Sequence, residues 1–211
     1  MSATGSRGAR RRLVLASASP ARLRLLRDAG FEPDVVVSGV DESALAAPDT
    51  PGLVEALAEA KAATVAARLD DALVVGCDSL LDVDGEPQGK PSSSAEALAR
   101  WARLAGRSAT LLTGHAVLDV RGGQVVAQRV AVESTVVRFA SPTEAEVSAY
   151  VASGEPLHVA GAFTLDGLGS VFVEAVEGSP SNVIGLSLPL LRRMLRDLGV
   201  EPVELWRRGS A

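Results

Sequence analysis

Apolar residues recur along the chain either in short runs or at helical spacing, and the two patterns predict its strands and helices. Strands are predicted at residues 13–16, 35–37, 73–76, 80–83, 109–120 and 125–139, with two more short strands in the glycine-rich region 161–178. Helices are predicted at 20–29, from 50 onward, at 94–105, from a turn at 141–144 to 152, and at 187–198.

Caps and turns mark the ends of these elements. Ser19 and Pro20 suit the N-cap and first turn of the first helix, and Thr50-Pro51 begins the second in the same way. The segment 141–144 has the spacing of a capping box. Asp84-Gly85 and the glycines at 122–123 predict β-hairpins.

The second helix carries Leu53, Leu57, Ala60 and Thr64 at helical spacing, which predicts that they face the core and that Lys61 lies at the edge of that face. No internal repeat, low-complexity tract or long linker interrupts the chain. The order of elements therefore predicts one mixed α/β unit at 13–211, divided into two lobes by a cleft, after a disordered basic tail at 1–12.

The composition excludes several classes of protein. Of 211 residues, 47% are hydrophobic and only 3% aromatic, so the core is expected to consist of Ala, Val and Leu rather than rings. With 21 basic and 26 acidic residues the net charge is -5, which indicates neither a nucleic-acid nor a membrane-surface partner. The single cysteine, Cys77, excludes an internal disulfide, and no apolar run reaches the ~20 residues of a membrane span. We expect a soluble cytoplasmic protein.

Lysine is rare in this chain, since 19 of the 21 basic residues are arginine and only Lys61 and Lys90 are lysine. Arginine replaces lysine on most solvated surfaces, but a compact ammonium meets phosphate oxygens in a way that a planar guanidinium does not. Chance explains either lysine taken alone. Their positions, one on a helix face and one after a hairpin, favour a phosphate-binding role.

Three groups of residues could carry chemistry. The strand-to-helix turn that holds Ser17 and Arg22 could bind an anion, although such turns also serve as plain caps. Asp78 follows an apolar run at the expected exit of a buried strand, where a carboxylate needs a hydrogen bond, a cation or a metal. Asp41 and Glu42 offer further acidic ligands on a loop, as Mg²⁺ sites require.

Other reactive residue types lack a catalytic pattern. Cys77 is interpreted as a small core residue because no His or Asn stands in a recognisable relation to it. His115 and His158 are isolated and are interpreted as structural. The glycines at 161–169 match neither a dinucleotide-binding nor a phosphate-loop motif, so they predict only tight turns.

From residue 13 to residue 199 the chain resembles the Maf family of nucleotide pyrophosphatases. The matching motifs, in order, are Leu15-Ala16-Ser17-Ala18-Ser19-Pro20 with Arg22, Val40-Asp41-Glu42, Ala60-Lys61-Ala62, Gly76-Cys77-Asp78-Ser79, Gly89-Lys90-Pro91, Ala160-Gly161-Ala162-Phe163 and Asn182-Val183-Ile184-Gly185-Leu186. Each motif is weak alone, whereas the ordered set is specific. The resemblance implies a two-lobed α/β fold related to the inosine-triphosphate pyrophosphatases, with substrate in the cleft, and frequently a homodimer.

The resemblance also implies roles and an activity. By matched position, Asp78 is the proton acceptor, and Asp78 and Glu42 hold a divalent cation, Mg²⁺ or Mn²⁺. The matched phosphate ligands are Ser17, Arg22, Lys61 and Lys90. The implied reaction hydrolyses a nucleoside triphosphate to its monophosphate and pyrophosphate and serves to clear modified nucleotides.

The departures from the family pattern lie around the base. Ala21 stands where some members carry a second Arg and others a Trp, and Ser79 replaces a Thr or Gln. Asp166 stands where a Gln or Glu is usual, and Val159 replaces a lysine. Ser79 and Asp166 remain predicted substrate contacts, but the sequence fits neither bacterial subgroup and leaves the preferred base open. Two alternatives also stay open: a non-catalytic nucleotide-binding regulator of septum formation, and a sugar-phosphate phosphatase.

Overall fold

The structure is a computed structural model that describes residues 11–207. The predicted tail at 1–12 lies outside the described residues except for Arg11 and Arg12, whose guanidinium groups pair with Asp119 and Asp34. Within the described part of the chain, no helix combines the length and the apolarity needed to cross a membrane.

Seven strands and six α-helices make up the regular structure of the described residues. The strands are β1 (Leu13–Leu15), β2 (Asp34–Val35), β3 (Ala72–Val83), β4 (Glu86–Gln88), β5 (Ser108–Arg121), β6 (Gln124–Phe139) and β7 (Val173–Glu177). The helices are α1 (Pro20–Asp28), α2 (Thr50–Ala66), α3 (Ser94–Leu104), α4 (Glu144–Ala152), α5 (Pro180–Ile184) and α6 (Leu188–Asp197). Short 3₁₀ turns lie between them, including one at Glu42–Ala44.

All seven strands belong to one mixed sheet with the order β2-β1-β3-β5-β6-β7, and β4 pairs with β3. β1 runs parallel to β2 and β3, whereas the pairs from β3 through β7 are antiparallel. The prediction of a mixed α/β fold is therefore confirmed.

One edge of β3 is shared by two short strands that leave a gap between them. β1 is in register with Leu73 to Val75 and β4 with Leu81 to Val83. No strand of the described chain covers residues 76–80 on this edge, although β5 pairs with the same residues on the other edge. We call this uncovered stretch the edge gap.

Three apolar clusters pack around the long strands and define two lobes. In the first lobe, one cluster joins β1, α1 and α6 on one face of the sheet, and a second joins α2 to the opposite face. A third cluster, around Trp101 and Phe139, fills the second lobe with α3 and α4. β3, β5 and β6 run through both lobes, and the edge gap lies where the lobes meet, as the two-lobed prediction requires.

The expectation of a core without rings is wrong for the second lobe. Trp101 makes edge-to-face contacts with Phe139, Tyr150 and Phe172 at ring-centroid distances of 5.7, 5.8 and 5.4 Å. Five of the seven aromatic residues of the chain lie in or against this cluster, where a few large rings fill a small core. Phe31 is buried in the first cluster, so the expectation also fails there for one ring.

Lys61 lies within the buried face of helix α2 and not at the edge of that face. Its buried residues are Thr50, Val54, Leu57, Ala58, Lys61, Ala62, Val65 and Ala66. The predicted face was therefore wrong for Leu53, Ala60 and Thr64, which are only partly buried. The buried face differs from the predicted one because the helix backbone packs directly on Gly76 and Gly114 of the sheet, which have no Cβ.

Two other local predictions were wrong. The capping box of α4 is formed by Thr143 and Glu146, with Thr143 as N-cap, and not by Ser141 and Glu144. Region 161–178 contains one strand, β7, instead of two. Its first part is held by the Glu155 carboxylate, which accepts hydrogen bonds from Thr164 Oγ1 and from the backbone N–H groups of residues 168 and 169.

Candidate active site

Asp78 lies in the middle of β3 and not at the exit of a strand, because β3 continues to Val83. Asp78 nevertheless lies inside the edge gap, where neither β1 nor β4 pairs with β3. Side chains of a strand alternate between its two faces, so Asp78 faces α2 and Ser79 faces the opposite side. The gap therefore receives groups from both faces of the sheet.

On the α2 face, Lys61 joins two carboxylates. Its ammonium Nζ lies 2.5 Å from Asp78 Oδ1 and 2.6 Å from Glu42 Oε1. Lys61 and Asp78 are 7% and 8% exposed, whereas the Glu42 side chain is 57% exposed. One buried cation thus holds two of the predicted catalytic and metal-binding residues together.

Asp41 has a different role from its neighbour Glu42. It is the N-cap of the turn Glu42–Ala44, and its Oδ1 accepts hydrogen bonds from Ser43 N at 3.0 Å and Ser43 Oγ at 2.6 Å. These hydrogen bonds, that from the Ser43 hydroxyl first, lower the pKa of Asp41. The cap fixes the turn that presents Glu42 to Lys61.

On the opposite side, Arg22 is a buried guanidinium at the first turn of α1. Nε donates to the Gly185 carbonyl at 2.7 Å, Nη1 to Ser17 Oγ at 3.1 Å and Nη2 to Ser79 Oγ at 3.0 Å. Arg22 is 9% exposed, and no carboxylate of residues 11–207 forms an ion pair with it. A buried charge is costly unless it is compensated, so this site favours an anionic ligand.

The hydroxyl of Ser79 belongs to a chain of hydrogen bonds along the floor of the cleft. Thr113 Oγ1 donates to the Asn182 carbonyl at 3.3 Å and lies 2.9 Å from Ser79 Oγ. Ser79 therefore donates to Thr113 and accepts from Arg22. The Asn182 amide in turn donates to Thr135 Oγ1 at 3.0 Å and to the backbone of β6.

Thr113 was not identified from the sequence, and Asn182 was identified only as part of a motif. Thr113 lies in the alternating pattern of a long strand, which gives no local signal. It reaches Ser79 only through the register of β3 with β5, in which the two residues are direct partners.

Cys77 on β3 and His115 on β5 are buried and uncharged. Burial raises the pKa of Cys77 to about 11, so its thiol is protonated at neutral pH. His115 is buried, with Nδ1 3.0 Å from the Thr113 carbonyl and Nε2 accepting from Ser187 N at 2.8 Å. Burial lowers the pKa of His115 to about 4 and keeps the ring neutral. His158 is exposed.

Lys90 approaches the gap from the β4 side. A Cβ on Gly89 would lie 3.5 Å from Leu80, which shows that the chain stays beside β3 after β4 ends. Continuing the antiparallel register of β4 places Lys90 level with Ser79. The ammonium is exposed and forms no hydrogen bond or ion pair with a described residue.

Asp166 makes no contact with the other predicted site residues. Its Oδ2 lies 2.5 Å from Arg24 Nη2, and Arg24 is on α1, two residues after Arg22. The ion pair joins the first lobe to the bend that follows Phe163 in the second lobe. The structure thus links Asp166 to the helix of Arg22, but not to the edge gap itself.

The donor set fits a cation that arrives with its substrate. Within the described range, no group of three or more His, Cys, Asp or Glu side chains could hold a metal ion. Asp78 and Glu42 each use one oxygen for Lys61. Mg²⁺ often binds through one or two carboxylates together with substrate phosphates and water. Asp78 and Glu42 could supply the two carboxylates.

Comparison with known proteins identifies the family. Residues 12–198 match the family described as "Maf-like protein", and the chain belongs to this family. A protein of Streptomyces coelicolor is 60% identical over 199 residues, covering 93% of this chain and 95% of its own length. One of Nocardia farcinica is 59% identical over 204 residues, covering 92% and 96%. Both are named "Nucleoside triphosphate pyrophosphatase".

Among solved structures, the Staphylococcus aureus Ham1 protein aligns with a TM-score of 0.48 and 15% identity, over 89% of this chain and 100% of that one.

Proposed function

We propose that this protein is a nucleoside triphosphate pyrophosphatase, which hydrolyses a nucleoside or deoxynucleoside triphosphate to the monophosphate and pyrophosphate. The observation that carries the proposal is Arg22, a buried guanidinium without a carboxylate partner in the described chain, beside the Lys61 ammonium shared by Asp78 and Glu42. In this proposal, Arg22 is the anion-binding group and Asp78 the proton acceptor, and both lie at one gap in the sheet. The names of the close relatives agree with this activity.

The reaction requires a water molecule to attack the α-phosphorus. In our proposal Asp78 accepts the proton of that water as the new O–P bond forms. The bond from the α-phosphorus to the bridging oxygen then breaks, and pyrophosphate leaves with the electron pair. General-base catalysis by a positioned carboxylate contributes about 10²–10⁴-fold to rates of this kind.

The phosphates would be held by the cations that surround the gap. Arg22 retains N–H groups beyond its three hydrogen bonds, and Ser17 lies beside it in the turn that precedes α1. Lys90 approaches from the β4 side, and Lys61 lies behind Asp78. These groups would neutralise charge that builds on the oxygens of the triphosphate during attack.

A divalent cation, Mg²⁺ or Mn²⁺, would be held by Asp78 and Glu42 together with phosphate oxygens. When bound, it would neutralise triphosphate charge and polarise the P–O bonds. Ser79 and Asp166 are proposed to contact the base. A cytoplasmic location, a homodimer and the clearing of modified nucleotides complete the proposal.

The test is pyrophosphate release from a panel of canonical and modified nucleoside triphosphates with Mg²⁺ or Mn²⁺, comparing wild type with Asp78→Asn. We expect Asp78→Asn to lower kcat by about 10²–10⁴-fold with a smaller effect on KM. Asp82→Asn is the matched control, because Asp82 lies on the same face of β3 but binds Thr50 Oγ1 at 2.6 Å and Gly85 N at 2.8 Å. This control should keep wild-type turnover.

Three outcomes would contradict the proposal. Full turnover by Asp78→Asn would remove Asp78 from the reaction. Release of orthophosphate instead of pyrophosphate would favour a sugar-phosphate phosphatase. Nucleotide binding with no hydrolysis in either metal would favour the alternative of a non-catalytic regulator of septum formation.

A further inference from the structure

The turn that carries Lys90 is fixed at both ends by one helix. Lys90 is flanked by Gly89 on one side and by Pro91 and Ser92 on the other. The Gly89 carbonyl accepts hydrogen bonds from Arg100 Nη1 and from Gly161 N, the latter at 3.1 Å. Beyond Lys90, Ser92 donates from its backbone N–H at 2.7 Å and from its hydroxyl at 2.6 Å to Glu96 Oε2.

Glu96 and Arg100 are themselves an ion pair one helical turn apart on α3. Each uses a second atom of its charged group to hold the turn, so the pair and the turn form a closed ring of contacts. We call Glu96 and Arg100 the α3 clamp. The hydrogen bonds from Ser92, followed by that from Arg100, lower the pKa of Glu96 to about 2, which keeps its carboxylate charged.

Two features show that the clamp is more than a helix cap. In a capping box, Glu96 at the third position of α3 would bind the N–H of the N-cap Ser93, but it binds Ser92 instead. Arg100 is only 12% exposed, and its Nε is buried without a hydrogen-bond partner among the described residues. The arginine thus leaves one donor unsatisfied while its terminal nitrogens hold Gly89 and Glu96.

We propose that the α3 clamp positions Lys90 for the triphosphate, with Arg100 and Glu96 as positioning residues that act through Lys90. This inference rests on the proposed function. Holding a phosphate through Lys90 costs conformational entropy of both the lysine side chain and the backbone that carries it. A backbone that is fixed in advance removes the backbone part of that cost. No substrate contact by Arg100 or Glu96 is required.

The test is a double-mutant cycle between Arg100→Gln and Lys90→Ala, measured as kcat/KM for pyrophosphate release. We expect a loss of about tenfold for Arg100→Gln and about 100-fold for Lys90→Ala, since charge-assisted contacts are altered or lost. If Arg100 acts through Lys90, the double variant should stay within about threefold of Lys90→Ala. Losses that multiply to about 1000-fold would overturn the inference.

Control variants separate positioning from stability. Arg103→Gln makes the same change on the same helix, but Arg103 pairs with Glu86 at 2.8 Å, at the end of β4 distant from Lys90. It should keep wild-type kcat/KM. Glu96→Gln should resemble Arg100→Gln and show the same coupling to Lys90→Ala. An equal loss in Arg103→Gln would assign the effect to general weakening of the hairpin and overturn the inference.

A binding measurement distinguishes failure of the clamp from failure of the proposed activity. Calorimetric titration with inorganic tripolyphosphate and Mg²⁺ repeats the cycle without turnover, and we expect the same coupling in the dissociation constant. If wild type binds tripolyphosphate with this coupling but releases no pyrophosphate, the proposed function fails and the clamp stands. If Lys90→Ala binds tripolyphosphate as tightly as wild type, or if wild type does not bind it, the clamp has no such role.

Discussion

Lys61 affects both stability and activity, because its ammonium lies between the carboxylates of Asp78 and Glu42. Lys61→Met would leave Asp78 and Glu42 close together without the intervening charge, and would leave Asp78 buried without a cation. Removing one partner of a buried ion pair costs on the order of 3 kcal/mol. We therefore expect a lower free energy of unfolding in urea together with at least a ~100-fold loss of pyrophosphate release.

The conservative variant Lys61→Arg distinguishes charge from shape. It keeps the positive charge but replaces a compact ammonium by a planar guanidinium in a buried space. Most of the turnover should still be lost even where the variant remains folded. Turnover near wild type in Lys61→Met would contradict the role given to this residue.

His115 makes the stability of the protein depend on pH. Burial lowers its pKa from 6.5 to about 4. Between these values the unfolded chain binds a proton that the folded protein does not, so stability falls as pH drops from 6.5 towards 4. The linked loss is about 3 kcal/mol when complete.

Urea unfolding at several pH values from 7 to 4.5 measures this loss. His115→Gln should remove the pH dependence in this window, whereas His158→Gln, a change at an exposed histidine, should preserve it. The same slope in wild type and His115→Gln would contradict the assignment. The lowered pKa values of Glu96 and Glu155 add losses of stability only at lower pH.

Among the elements, the contact of α2 with β3 and β5 has the least tolerance. A Cβ on Gly114 would overlap the Val54 carbonyl, and one on Gly76 would overlap the Ala58 carbonyl. Both obstacles are helix backbone, which cannot move aside alone. We expect Gly114→Ala to destabilise the fold by about 1–3 kcal/mol or more, measured by urea unfolding.

Gly89→Ala is the control for stability, since its Cβ would meet only Leu80 at ordinary contact distance. It should change the unfolding free energy by less than about 1 kcal/mol. Activity should fall with stability in Gly114→Ala, because α2 carries Lys61 to Asp78. A Gly114→Ala variant as stable as wild type would show that α2 packs less closely than described.

Elements with local signals were predictable from the sequence. Ser19 caps α1 and its side chain accepts from Arg22 N, as expected. Asp84 and Gly85 have φ values of 57° and 84°, which match the turn that their residue types favour. Such features depend on a few neighbouring residues and are readable without the fold.

Features that depend on distant pairing were not predictable. The apolar run before Asp78 suggested that the strand ends there, because nothing nearby shows that β5 pairs with residues 72–82. The hydrogen bond of Ser79 with Thr113 depends on the same pairing. Residue type and local position already indicated most of the candidate site residues, and the ordered motifs added their expected roles. The arrangement of Asp78 and Ser79 on opposite faces came from the structure.

At the scale of the whole molecule, the two lobes share three long strands, so the cleft cannot open by simple separation of independent domains. A side-chain bridge crosses between the lobes where Arg24 of α1 meets Asp166. The Arg24 and Asp166 side chains are 59% and 29% exposed, so this pair contributes at most about 1 kcal/mol to stability. Its main effect is to occupy the carboxylate of Asp166.

Arg24→Gln would release that carboxylate without altering the edge gap. If Asp166 contacts the base, we expect the ratio of kcat/KM between nucleotides with different bases to change by about threefold or more, with a nearly unchanged melting temperature. Arg27→Gln is the control, because Arg27 is exposed on the same helix. If the ratio is unchanged in both variants, breaking the ion pair of Asp166 has no effect on which base is accepted. Asp166 would then have no role in base selection.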